Sequence, residues 1–256
     1  MVSGYKTVAV KRINKPTRGL GIKEVGSFVR EVQNFAWMSK FPEFVDFGGW
    51  HEDDDYLYIV MEHVPGGSLN GFPAPSSFNL VTAREIAIQL CKGLKAMHSH
   101  GIAHRDLNPN VVKFVQNILV SSWIPLQIKI ADFGVSKLVL SDSCTDFRTN
   151  VGTNWYKAPE IYIGSQGTYT THVDLWSLGC VLYWIRVGKT PFTTIPELSQ
   201  YYYNGVTPSW SFPDTGTPLA VIVPELLRAK PEDRITAEGA LNVLLDPAQH
   251  KDCSLM

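Results

Sequence analysis

Hydrophobic and polar residues alternate in "KTVAVKRI" (residues 6–13), and β-branched and aromatic residues crowd "YLYIVMEH" (56–63); both runs predict strands. Between them, "SFVREVQNFAWM" (27–38) sets Phe28, Glu31 and Phe35 at steps of three and four, the spacing of one helical face. The first quarter therefore reads as strands around a single helix. Gly, Pro and Ser then gather in "VPGGSLNGFPAPSS" (64–77), which ends regular structure and predicts a linker. Beyond it the period changes. Ile86, Leu90, Leu94 and Met97 mark an amphipathic helix over "AREIAIQLCKGLKAMHSHG", closed by Gly101. The run "VDLWSLGCVLYWIRVG" (173–188) is apolar nearly all round and predicts a helix at the centre of the second, mainly helical part.

Length and composition fit this division. A chain of 256 residues, 45% hydrophobic, can bury one large two-part core. A formal net charge of −1, with 23 basic residues spread among 24 acidic ones, offers no broad field for nucleic acid or an anionic membrane surface. No apolar run reaches the ~20 residues that span a bilayer and no signal-peptide core opens the chain, so a cytoplasmic or nuclear protein is expected. Cys91, Cys144, Cys180 and Cys253 are scattered without metal-ligand spacing, which predicts reduced structural thiols. The acidic run 52–55 reads as a solvated hairpin turn rather than a cation site.

Three tripeptides stand in order: "HRD" at 104–106, "DFG" at 132–134 and "APE" at 158–160. Chance would produce all three in sequence on the order of 10⁻⁵ of the time. With "VAVK" (8–11), "DLWSLG" (174–179) and "KPEDRITA" (230–237), the chain resembles the eukaryotic protein kinases of Ser/Thr type, in particular the calcium/calmodulin-dependent and checkpoint group. The resemblance implies a bilobal α+β fold, with residues 1–64 as a small β-rich lobe and 65–256 as a mainly helical large lobe. It also implies Mg²⁺ and ATP as cofactor and co-substrate, and proteins carrying Ser or Thr hydroxyls as acceptors.

Phosphoryl transfer depends on positioning and charge neutralisation, and the resemblance distributes those tasks. Ala9 and Lys11, two apart on a strand, point the same way; Ala9 would pack on adenine and Lys11 would hold the α and β phosphates. Glu31 is the expected partner of Lys11, with Glu24, nearer the helix start, as the alternative. Met61, Glu62 and Val64 would present backbone to adenine, and Leu119 would lie beneath it. Asp106 would accept the acceptor hydroxyl's proton, while Asp132 and Asn117 would bind metal. Phe133 and His104 would stack with Phe35 and Phe47 in an apolar column. Asp174, costly inside an apolar helix, would be satisfied by backbone around His104 and Arg105. Glu160 and Arg234 would tie the segment after DFG to the large lobe. Thr149 matches the position phosphorylated in such segments, by an upstream kinase or by the chain itself, and Arg105 and Lys137 would grip that phosphate. Thr153 and the loop's composition favour Ser/Thr acceptors.

Three departures shape the expectation. Only ten residues precede Lys11 and they contain one glycine, Gly4, so the family's glycine-rich loop and its two strands are expected to be missing here. Asn108 stands where such kinases place a lysine, replacing a charge by a neutral amide. Asn117 lies eleven positions after Asp106, whereas the pattern HRDxxxxN sets five, so six residues, "VVKFVQ" or "NVVKFV", are added. A second reading follows from these: a kinase-fold module that binds nucleotide or protein without catalysis. Ser68 and Trp184, where some relatives carry acidic residues that read arginine, give no reason to expect a preference for basic substrates.

Overall fold

The computed structural model describes residues 7–15, 22–69, 78–104, 117–131, 158–162, 170–208, 210, 212–213 and 215–246; within the first helix the side chains of residues 22–24 and 27 are not described. Strand β1 (Val8–Asn14) leads to helix α1 (Ile22–Met38), then to β2 (Phe47–Glu52) and β3 (Tyr56–Glu62). The three strands form one antiparallel sheet in the order β1-β3-β2. Alternation along β1 turns Ala9, Lys11 and Ile13 toward one side, opposite Met61, Ile59 and Leu57 of β3. On that side α1 packs edge-on through Phe28 against Trp50, ring centroids 5.6 Å apart, and through Phe35 against Phe47 at 5.3 Å. The acidic run forms the β2–β3 turn. Asp53 accepts hydrogen bonds from the N–H groups of Asp55 and Tyr56 and from the Tyr58 hydroxyl, at 2.9, 2.7 and 2.7 Å. Its carboxyl is held below the usual range by the Tyr58 hydrogen bond above all, and no cation is needed to explain four carboxylates there.

The second part is helical. Helix α2 (Leu80–His98) begins three residues before the sequence pattern because Asn79 caps it, accepting from the Thr82 N–H at 2.8 Å. Its stripe of Ile86, Leu90, Leu94 and Met97 is buried. The hairpin β4 (Ile118–Trp123) and β5 (Leu126–Ile130) lies against it. Gln89 fixes the hairpin by donating to the Leu126 carbonyl at 3.0 Å and accepting from the Ile128 N–H at 2.9 Å. Gly93 leaves room for this contact, since a Cβ there would fall 2.6 Å from Ile130 Cδ1. A short turn, α3 (Pro159–Tyr162), precedes the central helix α4 (His172–Val187), whose residues are buried on nearly every side. Of the helices that follow, α6 (Pro218–Leu226) packs against it, α5 (Ile195–Asn204) meets it through Tyr201, and α7 (Ala237–Leu245) lies against α2 and α6. Trp176 of α4 stacks on Phe192 at 5.5 Å and meets Tyr201 at 6.4 Å.

Cys91 and Cys180 are buried free thiols, and burial pushes the Cys91 thiol up to about 12 and Cys180 further in the same direction. Such thiols pack as small apolar groups. Cys144 and Cys253 lie outside the described residues. Among the described residues no helix is long and apolar enough to cross a membrane.

Candidate active site

The described candidates fall in the small sheet with α1, along the β4–β5 hairpin and its linker, and around α4. Lys11 projects from β1 and its Nζ lies 3.8 Å from Glu31 Oε1 on α1. Glu31 comes from the face that also carries Phe28 and Phe35, so packing of the two rings against β2 aims the carboxylate at the lysine. The alternative partner, Glu24, has no described side chain. Ala9 sits across the ladder from Met61, on the side Lys11 shares, and Met61 packs against the core.

After β3 the chain turns along β4. Val64 is buried and its carbonyl accepts from the Gly67 N–H at 3.2 Å. The Gly67 carbonyl accepts from the Val120 N–H at 2.9 Å, and Ser68 bridges to Leu119. Gly66 is required here, because a Cβ would stand 2.1 Å from the Val120 carbonyl oxygen. Leu119, partly buried against the core, is thereby brought beside the linker that follows Met61, Glu62 and Val64.

Asn117 stands at the start of β4, and its carbonyl accepts the Ala131 N–H at 2.8 Å. Ala131 is the last described residue before the expected metal-binding Asp132, which itself lies outside the described residues. His104 is fully buried, with Nε2 3.3 Å from the Ala131 carbonyl. Asp174, also fully buried, accepts the His104 N–H at 2.9 Å. The same carboxylate oxygen lies 3.0 Å from His98 Nε2, a partner the motif reading missed. Arg105, Asp106, Asn108, residues 111–116, Asp132, Phe133, Lys137, Thr149 and Thr153 lie outside the described residues.

Below this, Arg234 and Glu160 form a forked pair: Nη1 and Nη2 each donate to one carboxylate oxygen at 2.7 Å. Arg234 also donates to the carbonyls of His172, Arg228 and Ala229, and its guanidinium lies 5.1 Å from the Trp176 ring centroid. Burial, then the Arg234 charge and His98, push the His172 imidazole below its usual value.

Lys129 is the second residue that sequence reading did not single out. It donates to Glu62 Oε2 at 2.5 Å and lies 3.8 Å from Asp46 Oδ1. Its adjacent residues Ile128 and Ile130 share the buried face, so the alternation along β5 assigns Lys129 to the solvent side and gives no sign of the carboxylates awaiting it. Ser68 and Trp184 bring no charge to this region; Trp184 packs partly buried against the core.

A family model described as "Protein kinase domain" matches residues 2–244. The chain is 32% identical to the serine/threonine-protein kinase RAD53 of Saccharomyces cerevisiae, over 93% of this chain and 29% of that protein. It is 34% identical to the serine/threonine-protein kinase PLK4 of Nematostella vectensis, over 92% of this chain and 23% of that one. With the serine/threonine-protein kinase cds1 of Schizosaccharomyces pombe the identity is 35%, over 75% and 42%. The chain thus spans less than half the length of these relatives. The crystal structure of Rad53 1-466 in complex with AMP-PNP superimposes with a TM-score of 0.68 at 32% identity, covering 93% of this chain and 57% of that one. The small sheet with its single helix, the helical second part and these matches agree on the bilobal α+β architecture, and the chain belongs to the eukaryotic serine/threonine protein kinases.

Proposed function

We propose that the chain transfers the γ-phosphate of ATP to Ser or Thr hydroxyls of proteins. The observation that carries this reading is the Lys11–Glu31 approach of 3.8 Å on the side of the sheet that holds Ala9 and Met61. There Lys11 neutralises the α and β phosphates and Glu31 keeps the ammonium aimed, while the backbone around Glu62 and Val64 receives adenine above Leu119. Asp106 accepts the hydroxyl proton. Glu160 and Arg234 hold the segment that presents the acceptor, and phosphorylation of Thr149, gripped by Arg105 and Lys137, orders it. The amide and carboxylate oxygens of Asn117 and Asp132 would make a hard donor set suited to Mg²⁺. When bound, the ion adds positive charge beside the phosphates.

The test is Lys11→Met, which loses phosphate charge and little packing. Phosphotransfer to a protein acceptor should vanish while the folded chain remains; unchanged transfer would sink the assignment. Asn108 and the six added residues before Asn117 favour a second reading, a nucleotide-binding module without catalysis. Thermal stabilisation by Mg·ATP with no turnover would select it.

A further inference from the structure

The nucleotide reading places adenine against the backbone that leaves β3, so whatever fixes that backbone acts on the site. Glu62, the last residue of β3, is joined to Asp46 twice: its N–H donates to the Asp46 carbonyl at 2.9 Å, and its Oε2 accepts the Asp46 N–H at 3.1 Å. The same oxygen receives Lys129 Nζ at 2.5 Å. Lys129 and Glu62 are 17% and 22% exposed, so solvent screens this pair less than the Lys15–Glu52 pair, whose glutamate is 48% exposed. Lys129 also starts from a firm base. Its neighbour Ile130 donates to the Glu43 carbonyl at 2.7 Å and accepts from the Val45 N–H at 3.2 Å, and Ile128 is bound by Gln89.

We propose that Lys129 is a positioning residue for nucleotide binding. By holding the Glu62 carboxylate from β5, it sets the direction in which the chain leaves β3 and so places Met61, Glu62 and Val64 for adenine. This rests on the nucleotide reading above, and the two can fail separately. Adenosine is the informative probe, since it lacks the phosphates that Lys11 would engage.

Calorimetric titration of the full chain with adenosine and with Mg·ATP should show Lys129→Met weakening both by about the same factor, roughly fivefold, as expected for directly coupled groups. Lys129→Arg should stay within about twofold of the parent, because a guanidinium can still reach the carboxylate. In a Glu62→Gln background, Lys129→Met should have no further effect. Should Lys129→Met fail to fold, Glu62→Gln, which still offers an oxygen to the Asp46 N–H, carries the same expected loss. Unchanged or tighter adenosine binding by Lys129→Met, with or without a lower unfolding midpoint, overturns the proposal and leaves Lys129 a brace. A parent chain that binds neither ligand overturns the nucleotide reading itself, and the proposal with it.

Discussion

Two glutamate–cation pairs, one in the small sheet region and one in the helical part, are built differently. Arg234 has no side-chain exposure, meets Glu160 through two bonds of 2.7 Å and spends its remaining donors on backbone carbonyls. Lys11 is 31% exposed and reaches Glu31 at 3.8 Å. A buried guanidinium must have every donor answered within the protein, whereas a partly exposed ammonium keeps contact with solvent. The first pair is built as structure; the second leaves its charge open to solvent, as the proposed phosphate role of Lys11 requires.

Four substitutions would break or sharpen that contrast. Arg234→Ala leaves Glu160 and three carbonyls without their donor and should cost about 3–5 kcal/mol in urea unfolding. A loss below 1 kcal/mol would erase the distinction. Asp174→Ala strands the buried His104 N–H and the His98 ring, and should cost about 1–3 kcal/mol by the same measurement.

The pH dependence comes next. His172 titrates below its usual 6.5 in the folded chain, chiefly through burial and then the Arg234 and His98 charges, which outweigh Glu160 and Glu232. As pH falls below 6.5 the unfolded chain takes up a proton that the folded chain refuses, so stability declines through that window. His172→Gln should flatten the difference between unfolding midpoints at pH 7.5 and pH 5.5; an unchanged slope would contradict the assignment. Smallest of all, Lys11→Met should shift stability by no more than about 0.5 kcal/mol. A larger loss would make Lys11 as structural as Arg234.

The sequence showed the residues whose task is written in short patterns. Lys11 was visible through "VAVK", Asp174 as a lone carboxylate in an apolar helix, and α2 through its stripe. Partners far along the chain were harder to see. Nothing local links Lys129 to Glu62, sixty-seven positions away, or His98 to Asp174, seventy-six away, because each contact follows from how β5 and α4 pack. Gly66 and Gly93 likewise read only as weak points of a linker and a helix, until the backbone and side chain crowding against them are known.

The β4–β5 hairpin has a mechanical consequence. Residues 43–46, which lead into β2, and 63–69, which follow β3, are both hydrogen-bonded to this one ribbon, the first to β5 through Ile130 and the second to β4 through Val120. Trp37 adds a ring contact to His100, but by packing rather than by bonds. Together with the Lys129–Glu62 bond, these attachments clamp the start of β2 and the end of β3 to neighbouring strands of one ribbon, so a displacement of the ribbon is carried into the sheet at both places.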